Sequence, residues 1–143
     1  MSTTFQHHSL SWTMARAAER LRTYRLLLAA NIVLDALIGL AALVCPVWLA
    51  RLLAQPEPFP DAWLQAFGLA LIGMSLLYVQ GWNNPTFYRW PNWTGILIRL
   101  ALGLLFLGQG QGFLLLAIWE ALWGVVLLVA YYRLAEADLL WRP

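Results

Sequence analysis

Charge is scarce in this sequence and lysine is absent from it. Only 11% of the 143 residues are charged, where a soluble domain carries about a quarter. Hydrophobic residues make up 62%, so the expected solvent is a bilayer, and four spans of about 20 residues with short connections would use nearly all the chain. A net charge of +2 is too thin for a phosphate-tracking stripe, which excludes nucleic acid as a partner. The one cysteine, Cys45, excludes an internal disulfide and any multi-cysteine metal or iron–sulfur site built from this chain alone. Val44 before it and Pro46 after it do not fit a lipoprotein cleavage site.

Histidine is limited to the adjacent pair His7 and His8. They lie outside every expected span, so the chain has no paired axial ligands for an intramembrane haem. Two ordinary tail residues are the default reading, with a surface metal or pigment ligand as the alternative. No glycine-rich phosphate loop, nucleophile elbow or metal-binding helix motif occurs. No catalytic residue, metal site or cofactor with identifiable ligands is therefore assigned, and the enzyme question leans to no. Contact of a lipid, pigment or quinone with aromatic side chains is the cofactor option left.

What is abundant is apolar sequence, tryptophan and arginine. All nine basic residues are Arg, and there are nine Trp, which with the Ala and Leu content points to a GC-rich bacterial genome. Residues 1–25 are too long and polar for a signal-peptide n-region, and the apolar stretch from Leu26 is too long for its h-region. They read instead as a short interfacial helix, with Trp12 and Tyr24 at headgroup depth. The expected architecture is all-α, an integral membrane four-helix bundle with spans at about 26–49, 62–82, 93–107 and 113–132 and a tail at 133–143. Pro46 marks a kink or stop near the end of the first span, and Pro56, Pro58 and Pro60 mark a loop. Gly108, Gln109, Gly110, Gln111 and Gly112 divide an apolar run of nearly 40 residues into a helical hairpin; the competing reading makes the third segment re-entrant. Trp82, Tyr88, Trp90, Trp93, Tyr131 and Tyr132 are the further candidate interfacial anchors.

Four spans put Arg16, Arg20, Arg22, Arg25, Arg89, Arg133 and Arg142 on one side and Arg51 on the other. That asymmetry places both ends of the chain in the cytoplasm and the bundle in the bacterial inner membrane. An internal echo points to two similar hairpins: Asp35-x-x-x-Gly39-Leu40-x-x-Leu43 matches Arg99-x-x-x-Gly103-Leu104-x-x-Leu107, and Trp63-x-x-x-Phe67-Gly68 matches Trp119-x-x-x-Trp123-Gly124. Two such hairpins side by side make a pseudo-twofold bundle with its axis along the membrane normal.

Three ionisable residues inside the spans ask for a reason, since each costs about 2.5 to 3.5 kcal/mol on insertion scales. At about 1.5 Å per residue, Asp35 lies roughly 15 Å deep, Arg99 roughly 9 Å and Glu120 roughly 18 Å, depths an arginine can bridge. Asn31, Asp35 and Gly39 share one helix face, as do Gly95, Arg99 and Gly103, and Glu120 with Gly124. The expectation is a polar cluster of Asn31, Asp35, Arg99 and Glu120 lining a small cavity open to the cytoplasmic half. Three roles stay open for it: mutual neutralisation that sets helix register, a ligand or proton site, and contact with a partner subunit.

The run Arg99-Leu100-Ala101-Leu102-Gly103-Leu104-Leu105-Phe106-Leu107 followed by Gly110 resembles the leading helix of DoxX-like small bacterial membrane proteins. The resemblance covers a short part of the chain, and the matching helix is third here rather than first. It implies a four-helix bundle and association with redox partners, and carries over no catalytic residue. The leading expectation is an accessory or scaffolding subunit of a larger respiratory, photosynthetic or biosynthetic membrane complex, with membrane lipids and other integral subunits as partners. The alternatives are a small transporter or lipid- or quinone-binding protein using the Asp35, Arg99 and Glu120 cluster, in homodimeric form as one option, and a tiny membrane enzyme with an embedded acid as proton donor.

Overall fold

The computed structural model describes residues 3–55 and 60–141, with side chains for 14–55 and 60–139. Five α-helices account for almost all of them: α1 (Thr3–Val44), α2 (Pro46–Leu52), α3 (Asp61–Asn83), α4 (Arg89–Gly108) and α5 (Leu114–Trp141), with a single 3₁₀ turn (Gln111–Phe113) before α5. No strand occurs among the described residues. Helices α1, α3, α4 and α5 are each long and apolar enough to cross a membrane. Neighbours along the chain pack side by side, α1 on α3 and α4 on α5, and the ring closes through α3 on α4 and α1 on α5. The diagonal pairs α1 with α4 and α3 with α5 stay apart. An up-down-up-down square follows, the arrangement that short connections favour.

The breaks fall where the chain cannot continue a ladder. Pro46 has no N–H to offer, so α1 stops at Val44 and the proline opens α2 as its first residue, where the missing donor is harmless. Gly110, at φ 96°, turns the chain between α4 and α5 in a conformation that a β-carbon would strain. Helix α4 begins before the expected 93 because Pro91 sits in its first turn, where no intrahelical partner awaits its nitrogen.

One expectation is corrected. There is no separate N-terminal interfacial helix among the described residues: α1 is one continuous helix of 42 residues, about 63 Å long at 1.5 Å per residue. The stretch before Leu26 has no glycine or proline to end it, and its Arg and Ala residues are strong helix formers. Helix α5 likewise runs on through Ala135 and Ala137 to Trp141 rather than ending at Tyr132. The two extensions lie against each other. Arg20 Nη1 donates to the Arg133 carbonyl at 2.9 Å and pairs with Glu136 Oε2 at 3.1 Å.

The same end of the bundle gathers the arginines. Arg25 Nε donates to the Trp82 carbonyl at 3.1 Å while Trp82 Nε1 donates back to the Arg25 carbonyl at 3.0 Å, a reciprocal clasp of α1 to the end of α3. Arg25 Nη2 also donates to the Asn83 carbonyl. Arg89, at the start of α4, pairs with Asp138 on α5 at 3.5 Å. With Arg16 and Arg22 on α1 and Arg133 on α5, six of the seven arginines expected on one side lie at this end, and Arg51 on α2 lies at the other. Arg142 is outside the described residues.

Two apolar cores fill the bundle. The one nearer the arginine-rich end contains Tyr24, Leu28, Met74, Tyr78, Ile96 and Leu127. The other contains Ala42, Leu64, Phe67, Leu71, Phe106 and Leu116. Outside, large apolar side chains stand exposed on every long helix, among them Leu37, Leu76, Leu104 and Leu122.

Candidate functional site

Between the two cores lies the one layer, among the described residues, in which charged side chains are fully buried. On α1 it falls after Leu28 and before Ala42, on α4 between Ile96 and Phe106, and on α5 between Leu127 and Ala117. Asn31, Asp35, Arg99 and Glu120 meet there, each at 0% exposure. Arg99 is the hub. Its Nη1 donates to Glu120 Oε2 at 2.8 Å; its Nη2 donates to Asn31 Oδ1 at 3.1 Å and to Asp35 Oδ2, with which it forms an ion pair. The guanidinium thus ties α4 to α1 across the diagonal and to its neighbour α5.

The remaining long helix, α3, contributes a residue that the reading of polar spacing overlooks. Tyr78 of α3 lies with its ring centroid 5.9 Å from Arg99 Cζ, within reach of a cation–π contact. Its place is made by Gly95, where an added β-carbon would collide with the Tyr78 ring. Gly95 was conspicuous in the sequence, one turn before Arg99, but the space it leaves admits a side chain rather than a whole helix. A tyrosine well inside a span, opposite a glycine, is the signal that could have found it.

The glycines of the echo bring backbones together at Gly39 with Gly68 and at Gly103 with Ala121. A β-carbon at Gly39 would lie 2.7 Å from the Gly68 carbonyl oxygen, and one at Gly103 would lie 3.1 Å from the Ala121 nitrogen. In the second hairpin Gly124 faces Leu100 instead of Gly103. The two hairpins therefore share a motif but cross about one turn apart.

The expected cavity is not there. Zero exposure of all four side chains means that no water-sized probe touches them, from outside or from an internal void. The cores above and below and the flanking Ser75, which donates to the Leu71 carbonyl at 3.0 Å and to the Ile32 carbonyl at 3.3 Å, close the layer. Asp35 Oδ1, Glu120 Oε1, Asn31 Nδ2 and Arg99 Nε carry no hydrogen bond. Two carboxyl groups share one guanidinium, so the site can hold helices in register and can accommodate a proton, but it offers a substrate no way in.

The candidate anchors divide. Tyr24 and Tyr131 are core residues, at 0% and 3% exposure, with ring centroids 5.3 Å apart. They are packed between helices instead of facing outward as anchors, and the prolongation of α1 and α5 adds a layer of protein beyond them. Tyr131 also donates to the Pro85 carbonyl at 3.4 Å. Trp82, Tyr88, Trp90, Trp93 and Tyr132 are exposed, Trp90 most of all at 80%. Trp93 turns its edge to Tyr131 at 5.5 Å. Phe87 and Tyr88, packed edge to face at 4.9 Å, continue this aromatic surface around the turn before α4. The side chains of Trp12, His7 and His8 lie outside the described residues.

No family model, curated protein or solved structure matches the chain. Groups of three or more metal-ligating side chains are absent among the described residues.

Proposed function

We propose that this chain is a polytopic protein of the bacterial inner membrane with both ends in the cytoplasm, acting as a non-catalytic accessory or scaffolding subunit of a larger membrane complex. The observation that carries the reading is the closure of the polar layer. A transporter or a quinone site needs its charged groups to meet a substrate or water. Here the charged groups meet one another: Arg99 joins α4 to α1 and α5 by ion pairs, and α3 meets it through the Tyr78 ring. The apolar surface supports the bilayer as solvent, because a soluble monomer rarely exposes so extensive a hydrophobic face. The arginine-rich end supports a cytoplasmic orientation. The aromatic belt around Phe87, Tyr88 and Trp90 is the kind of surface that lipid headgroups or a neighbouring subunit cover. The DoxX-like character of α4 fits a role beside redox partners, and rests on the short motif from Arg99 to Gly110.

Extraction in a mild detergent tests this. The full chain, purified from its native membrane, is expected to bring down a stoichiometric set of other integral membrane proteins. A clean monomer or homodimer would count against an accessory role. If Asp35→Asn or Glu120→Gln then abolished a transport or binding activity without lowering the melting temperature, the cluster would be functional and the transporter reading would take over.

A further inference from the structure

Helices α1 and α5 do not seal against each other along their whole length. A groove of about 560 Å³ opens between them on the outside of the bundle, within the usual range of small-molecule sites. Its chemistry changes along its axis. Arg20, Thr23 and Arg133 stand at the arginine-rich end, and Leu27, Val126 and Val129 line the rest. The change is written in both helices at helical period: Arg20, Thr23 and Leu27 follow one face of α1, and Val126, Val129 and Arg133 one face of α5. Eight residues of α5 separate Val125 from Arg133, about 12 Å at 1.5 Å per residue.

We propose that this groove is a binding site for an anionic phospholipid, its phosphate between Arg20 and Arg133 and one acyl chain lying on the valine floor. The assignment rests on the reading of the chain as a membrane protein with this end at the cytoplasmic interface. Arg20 is held in place by Glu136 and the Arg133 carbonyl, which fixes one side of the anion site in advance. Arg133 has an exposed side chain and supplies the second cation. Basic residues between helices at the cytoplasmic face are the recurring device for holding acidic headgroups, and guanidinium–phosphate hydrogen bonds are among the strong ones. Glu19 shares the rim and gives an acceptor to headgroup hydroxyls, as in a glycerol headgroup, while disfavouring a bare multivalent anion. A hydrophobic peptide helix would leave Arg133 without an anionic partner, Arg20 being paired already with Glu136; a phospholipid satisfies both ends of the groove at once.

Native mass spectrometry of the full chain, released from mixed vesicles of phosphatidylglycerol and phosphatidylcholine in equal amounts, reads this directly. One phosphatidylglycerol per chain is expected to persist at collision energies that strip phosphatidylcholine. Arg133→Gln is expected to weaken retention about tenfold, the scale of one lost charge-assisted contact. Val129→Trp, which fills the floor and leaves the charges, is expected to do the same, whereas Leu97→Trp on the exposed face of α4 is expected to change nothing. Circular dichroism melts check that each variant is folded, and Arg133→Gln, at an exposed position, keeps the test available if the tryptophan variant fails to fold. Equal retention of the two lipids, or unchanged retention in both groove variants, overturns the site. Binding of soluble glycerol 3-phosphate as tight as that of the lipid overturns the acyl-chain half of it. Failure of the membrane reading shows separately, as release of the protein from membranes by alkaline carbonate.

Discussion

Asp35 and Arg99 hold matching places in the two hairpins, each four residues before the glycine of its motif, and they pair with each other across the diagonal of the bundle. The backbones of the helices that carry them stay apart, so the two side chains alone bridge the diagonal. In the other matched positions the hairpins differ: Leu64, which follows Trp63, is a core residue, while Glu120, which follows Trp119, binds Arg99. One turn of each hairpin thus supplies opposite charges to a shared centre, and the second hairpin adds a further acid.

That centre makes a prediction about stability. Arg99→Leu leaves two carboxyl groups in a dry layer without their cation and is expected to cost about 3 to 5 kcal/mol, the range for breaking a buried pair. The triple change Asp35→Leu, Arg99→Leu and Glu120→Leu removes charge and desolvation together, and is expected to return the protein to within about 1 to 2 kcal/mol of the original. Thermal melts in detergent measure both. A triple variant as unstable as Arg99→Leu alone would show that the ion pairs contribute net stability beyond neutralising each other.

The contact between Gly39 and Gly68 makes another. An added β-carbon at Gly68 would lie 2.7 Å from both Ala42 Cβ and the Gly39 carbonyl oxygen, so α1 and α3 would have to separate. Gly68→Val is expected to destabilise by about 1 to 3 kcal/mol, as overpacking does. Gly73 on the same helix has nothing within 4 Å of an added β-carbon, and Gly73→Ala is expected to be neutral or to stabilise by up to about 1 kcal/mol through helix propensity. Melting temperatures of the two variants should therefore move in different directions or by clearly different amounts.

Orientation can be read with the chain's own cysteine. Cys45 is exposed at the junction of α1 and α2, level with the start of α3 and at the opposite end of the bundle from the arginine cluster. A membrane-impermeant maleimide is expected to label it in cells whose outer membrane alone has been opened. In a Cys45→Ala background, Arg16→Cys is expected to react only after the inner membrane is permeabilised. The reverse pattern would invert the topology, and labelling of both from outside would mean dual insertion.

Much of this protein follows from sequence alone, and the reason is local. Length and polarity of the apolar runs set the four long helices, Pro46 and Gly110 set breaks between them, and the up-down succession of the helices put the arginine-bearing ends together. Asp35, Arg99 and Glu120 were recognisable because an ionisable group in an apolar run has few places to go, and Asn31 because it lies one turn from Asp35 on the same face. Tertiary structure decided what depends on neighbours distant in the chain. It joined the N-terminal segment to α1 and packed it on the prolonged α5, with Tyr24 and Tyr131 buried in the core between them. It put Tyr78 over Arg99 through the gap at Gly95. It also closed the polar layer: spacing along single helices shows which residues share a face, but only the packing of all four faces determines whether they enclose a cavity or one another.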